Sequence, residues 1–207
     1  MPRIRAAIAR RGWAWLVLLA LALPAWAFDA TSARVFADAV VRSGDAGGLA
    51  FAVVDKPGAT IWVFDQRGRL LGHSPVLVGQ APGDVAPPDI GSRPLARVKP
   101  SEKITAAGRY VTEPGRNAQG EDIVWLDYDA ALSMHRVRNV PGERRPERLR
   151  TPGTADKRIS FGCINVPARF YDRSIDPWFA RTPGVVYVLP ETRPPREQFG
   201  FLRGADH

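Results

Sequence analysis

LAFAVVDKPGATIWVFDQRGRLLGHSPVLVGQ, residues 49–80, holds three runs rich in β-branched and aromatic residues, separated by DKPGA and DQRGR. Both breaks have compact turn chemistry, so the stretch reads as a meander of antiparallel strands. On its N-terminal side, ATSARVFADAVVRSGDAGG (30–48) places Val35, Phe36, Ala39 and Val40 at helical spacing, with Thr31 or Ser32 as N-cap and glycines past the end. This predicts a short helix, within residues 28–48, that docks on the domain.

On the C-terminal side, residues 80–108 are rich in Pro, Gly and charge and predict a long surface loop, a segment type often put to functional use. Strand-like runs return at GRYVTEP, DIVWLDYD and ALSMHRV. A second irregular stretch, VRNVPGERRPERLRTPGTADK (137–157), leads into RISFGCIN, a helix-like VPARFYDRSIDPWFA and a last strand, VVYVLP. The tail, 192–207, lacks periodicity and predicts an extended, loosely ordered arm. Strands outnumber helices, so the fold class is mostly β, a largely antiparallel domain with one or two small helices.

The first 27 residues have the three-part layout of a secretory signal peptide. Arg3, Arg5, Arg10 and Arg11 precede an apolar run from Trp13 to Leu23, and Ala25-Trp26-Ala27 supplies a cleavage step before Phe28. An uncleaved anchor is the competing reading, but the run falls short of the ~20 apolar residues a span needs. The expectation is a periplasmic protein that meets a membrane only during export. Removing those four arginines from the formal charge of +8 leaves +4, too modest to favour a nucleic-acid partner and suited to an anionic surface such as a cell wall. The roughly 180 residues that remain suffice for one domain with a sizeable core.

Cys163 is the single cysteine. An exported chain with one thiol cannot form an internal disulfide, which leaves a buried bystander, an intermolecular link or a reactive group. Gly162 permits a sharp turn and close approach, and Pro167 suits the first position of a helix whose positive end would lie just beyond the thiol, with Asn165 or Val166 as cap. A nucleophilic thiol also needs a base. Of the three histidines, His207 ends the tail and His73 sits within a strand run, whereas His135 closes the ALSMHRV strand and opens into the basic stretch that returns to Cys163.

Ser160-Phe161-Gly162-Cys163-Ile164-Asn165, preceded at a distance by His135, resembles the signature of the L,D-transpeptidase (YkuD-type) catalytic domain. The likeness spans about residues 50–190, with 49–191 as the catalytic domain, and implies that family's antiparallel β-sandwich. It implies a Cys163 nucleophile and a His135 base, with Gly162 and Cys163 N–H groups as oxyanion donors. Ser160 would support the loop, a carbonyl near Arg136 would orient the imidazole, and Asn165 would brace the turn. The partner implied is the peptidoglycan stem peptide, whose acyl group passes to a neighbouring stem amine, and no metal or other cofactor is required. Two rivals share these residues: an L,D-carboxypeptidase or endopeptidase, and a catalytically silent wall-binding protein.

The chain departs from the family pattern at Phe161, where a His is usual, and in the longer interval from His135 to Ser160. Both mark a divergent branch, for which 3-3 and 1-3 cross-linking remain open. The insert bears Arg144, Arg145 and Arg148 and reads either as a basic lid that recognises stem-peptide carboxylates or as a solvated, salt-bridged loop. Tyr128 and Phe161, with Trp125 and Tyr171, are groove-lining candidates, although residues of these types more often belong to a core.

Overall fold

β1 (Phe51–Asp55) is apolar at consecutive positions because both of its faces are covered. Ala52 and Val54 face the main core with Ile61 and Val63, while Phe51 and Val53 face an outer cluster with Trp62 and Phe64. The computed structural model describes residues 28–204, so the expected export segment and His207 lie outside the described residues.

The meander forms as expected. β1 pairs antiparallel with β2 (Thr60–Phe64), and β2 with β3 (Leu70–Pro75). The third run then breaks at Pro75, and Val78–Gly79 become β4, which joins a different ladder. GRYVTEP divides in the same manner. β5 (Gly108–Val111) and β6 (Glu113–Arg116) belong to different sheets, with buried Thr112 at the crossing. The Thr112 N–H donates to the Gly184 carbonyl and its hydroxyl accepts the Gly184 N–H, both at 2.9 Å, so both N–H groups are paired where the chain crosses.

The remaining strands are β7 (Asp122–Asp127), β8 (Leu132–Arg136), β9 (Arg158–Ser160), β10 (Ile164–Val166) and β11 (Val185–Val188). They complete a five-stranded sheet, β3-β2-β1-β11-β5, a four-stranded sheet, β10-β8-β7-β6, and a parallel pair, β4-β9. Val124, Met134, Ile164 and Val166 from the second sheet meet Ala52, Val54, Val186 and Val188 from the first, with Tyr171, Ile175 and Phe179 in the same core. Five ladders are antiparallel, whereas β1–β11, β8–β10 and β4–β9 are parallel.

α1 (Ala30–Ser43) packs Ala33, Phe36, Ala37 and Val40 on the outer face of the first sheet. Its N-cap is Asp29, two or three residues earlier than expected, because the Asp29 carboxylate accepts the Ser32 N–H at 2.8 Å. Gly44, at φ +68°, ends it. The C-terminal arm also departs from expectation. α5 (Pro195–Gln198) and a following 3₁₀ turn (Gly200–Gly204) are ordered against α1, and Phe199 is buried edge-on to Phe36 and Tyr187 at centroid distances of 5.6 Å. Phe199 and Phe201, too few to make a periodic pattern, suffice to dock the tail onto a ready apolar face. Among the described residues no helix is long and apolar enough to cross a membrane.

Candidate active site

The parallel ladder between β10 and β8 sets Asn165 beside His135, and Cys163 stands one residue ahead of β10. Asn165 is held from the other side too, exchanging backbone hydrogen bonds with Leu77 at 2.9 Å in both directions. His135 Nδ1 lies 2.8 Å from the Arg136 carbonyl. A carbonyl only accepts, so Nδ1 carries the proton and Nε2 presents its lone pair.

The orientation of Asn165 follows by the same reasoning. Arg145 Nη1 donates to Asn165 Oδ1 at 2.8 Å, and since a guanidinium only donates, the amide NH2 must face the other way. There Nδ2 donates to the Cys163 carbonyl at 3.2 Å and lies 3.5 Å from His135 Nε2. Cys163 is partly exposed. Ser133 Oγ approaches its sulfur at 3.5 Å, and the sulfur lies 3.4 Å from the Ala131 carbonyl. Burial pushes the thiol up, but hydrogen bonding and charge from His135, aided by Ser133, outweigh it and hold the thiol below its ordinary value.

The expected helix-dipole contribution is absent. Asn165 and Val166 belong to β10, Pro167 is itself the cap, and the α-helical turn it opens, α3 (Ala168–Phe170), passes straight into a π turn (Tyr171–Ile175) and α4 (Asp176–Phe179). A strand thus separates the thiol from any helix end.

The turn before Cys163 is built on Gly162. Its φ is +138°, and a Cβ there would stand 2.9 Å from the Ile104 carbonyl. The Gly162 carbonyl accepts from Thr105 Oγ1 at 2.6 Å, and that oxygen accepts the Gly79 N–H at 2.8 Å. Ser160 Oγ donates to the Cys163 carbonyl at 2.6 Å and accepts the Gly162 N–H at 3.1 Å. The Gly162 N–H is therefore committed within the loop. The Cys163 N–H donates to no acceptor among the described residues and is the donor left for an oxyanion.

Cys163, His135, Asn165 and Ser160 line a cleft of about 380 Å³. Ile90, Leu95 and Val98 of the 80–108 loop form one lip, and Arg138, Val140, Glu143 and Arg145 of the 137–157 stretch form the other. Phe161 lines the wall, with Lys103 Nζ 3.8 Å above its ring. The other expected groups lie apart from the cleft. Arg144 and Arg148 border a separate depression with Glu147 and Asp156, and Arg148 donates to the carbonyls of Glu143 at 2.7 Å and Asp156 at 3.0 Å. Tyr128 is exposed and edge-on to Trp125 at 5.1 Å. Tyr171 is core, covered by the Arg136 guanidinium, so only the carbonyl of Arg136 serves the site.

Sequence reasoning passed over Ser133 and Thr105. Ser133 was accessible to it, since strand periodicity puts residues 131, 133 and 135 on one face of β8. Thr105 was not, because nothing local marks a loop hydroxyl as the tie between two distant backbones.

No family model and no curated protein matches the chain. Among solved structures it is similar to the NMR structure of the catalytic domain of an L,D-transpeptidase from E. faecium, at 16% identity, with 68% of this chain and 96% of that chain covered and a TM-score of 0.35. A likeness of that size carries no argument about reaction or residues. The chemistry rests on the site's own atoms, a cysteine and a histidine that line one cleft of a β domain.

Proposed function

We propose that the protein is an exported cysteine acyltransferase of peptidoglycan, an L,D-transpeptidase acting on stem peptides. The observation that carries this reading is that Cys163 lines one cleft with His135, an imidazole whose tautomer the Arg136 carbonyl dictates and which holds the thiol below its ordinary value. In the first half-reaction the thiol proton passes to His135 Nε2 and the sulfur attacks a stem-peptide carbonyl. The Cys163 N–H receives the developing oxyanion, and His135 returns the proton to the leaving amine as the C–N bond breaks. A neighbouring stem amine then attacks the thioester, giving its proton to Nε2, and the free thiol is regenerated. The apolar lip of Ile90, Leu95 and Val98 would shield one side of the thioester, which supports transfer over hydrolysis.

Incubating the purified protein with defined muropeptides, with Cys163→Ala as control and products fragmented by mass spectrometry, tests this. Cysteine-dependent dimers are expected, and their fragments distinguish 3-3 from 1-3 linkage. Shortened monomers alone would make the protein a peptidase, and unchanged substrate would leave a wall-binding protein.

A further inference from the structure

Arg145 is the one arginine of the 144, 145 and 148 group that reaches the cleft, and it does so as a buried cation, 9% exposed. Its Nη1 holds Asn165, and its Nε is paired with the carboxylate of Glu143, two residues earlier in the same stretch. The two partners differ in kind. Asn165 is fully buried and fixed by backbone bonds to Leu77, whereas the Glu143 side chain stands at the rim, 29% exposed, on the turn before α2 (Arg145–Arg150). A buried guanidinium needs an anion, but a rim carboxylate gains little from staying. Nη2 of Arg145 has no acceptor among the described residues. Arg138, another cation lining the cleft, is already held by Glu121 and Gln119 on the exposed surface.

We infer that Glu143 is an internal stand-in for a substrate carboxylate: an incoming carboxylate displaces it and binds Arg145 through Nε and Nη2, while Nη1 keeps Asn165 in place. The ligand class is a carboxylate-bearing peptide. Arg145 is thereby a specificity residue that also sets the Asn165 amide against His135 and the Cys163 carbonyl. Its biological meaning rests on the acyl-transfer reading, but the geometry requires only that Cys163 share the cleft with Arg145.

Cys163 itself reports on the site. The rates of its alkylation by iodoacetate and by neutral iodoacetamide give a ratio that measures preference for a carboxylate at fixed thiol reactivity. Glu143→Gln, which vacates Arg145, is expected to raise that ratio roughly fivefold, what one surface ion-pair contact is worth. The gain should fall away in the Glu143→Gln/Arg145→Lys double variant, which keeps the local charge of Glu143→Gln but loses the guanidinium fork. An unchanged ratio in Glu143→Gln, or a gain that survives in the double variant as a general field effect, overturns the inference. Should the double variant fail to fold, competition in Glu143→Gln decides. At constant ionic strength acetate should slow iodoacetate labelling and acetamide should not, and equal effects overturn the inference. Failure here leaves the muropeptide assay standing, and a muropeptide assay without products leaves this result standing, so the two readings fail separately.

Discussion

His135 has one acceptor for its proton and one lone pair to offer, and that division of labour is the chemical content of the site. His135→Ala should lower muropeptide turnover by roughly 10²-fold or more, the ordinary contribution of a positioned acid–base group. The same variant should slow iodoacetamide labelling of Cys163 at pH 7 and restore it as the pH is raised, which a purely structural role for the imidazole would not produce. Thr105 acts one step back, its hydroxyl joining the Gly79 N–H to the Gly162 carbonyl in a buried position. Thr105→Val leaves both unpaired and should cost about 1–3 kcal/mol, measurable as a lowered midpoint in urea. Cys163 and His135 were both legible from the sequence, one as a lone thiol beside glycine and the other as a histidine at a strand end. The helix expected at Pro167 does form, with Pro167 as its cap, but β10 stands between it and Cys163, and local composition could not reveal that residues 164–166 are a strand completed by pairing with residues 134–136.

At the scale of elements, the 80–108 loop and the 137–157 stretch earn their length as the two lips of the cleft. Their charge and proline content signalled irregular backbone, yet the residues of the first loop that face the cleft are Ile90, Leu95 and Val98, which its polar composition conceals. The basic stretch is in part the salt-bridged loop of the plainer reading, with Arg148 turned onto backbone carbonyls, and only Arg138 and Arg145 of its arginines line the cleft. The C-terminal arm illustrates the opposite failure. Phe199 has only Phe201 beside it in the tail, and the role of both depends on Phe36 and Tyr187 already forming an apolar face. Phe199→Ala should therefore destabilise the protein by about 3–5 kcal/mol in thermal or chemical melts. Cys163 labelling by iodoacetamide under native conditions should be unchanged, because the arm packs on the face of the first sheet opposite the core that supports the site.

Across the whole molecule, a buried ionic cluster closes the end of the first sheet beside β9. Lys56 is 1% exposed and pairs with Asp84 at 2.7 Å, Glu191 lies 3.6 Å from it, and Arg158 also binds Glu191. Burial pushes Asp84 up, but Lys56, the Thr192 hydroxyl and two backbone N–H groups outweigh it and hold Asp84 well below the usual range. Its contribution is complete above the unfolded value, and it is lost on acidification below that value. Asp55 behaves oppositely. Burial, with Glu191 nearby, raises it from 3.8 to about 6. The folded state binds that proton more tightly, so its contribution is complete below the unfolded value and is lost as pH rises from about 4 to about 6. The loss is on the order of 2–3 kcal/mol. Asp55→Asn should flatten the stability profile across that window, and melts at pH 4, 5, 6 and 7 would show it.

By itself the sequence determined the β class, the opening meander and the docking helix, and singled out Cys163 and His135 as candidates, because period, turn composition and a lone thiol are local properties of the chain. Only the tertiary structure decided the three parallel ladders, the division of 108–116 between two sheets, the anchoring of the arm, and the chain of contacts from Arg145 through Asn165 to His135. Each of these depends on hydrogen bonds or packing between segments tens of residues apart. The information lies in which surfaces meet, and no window of sequence contains both sides of that contact.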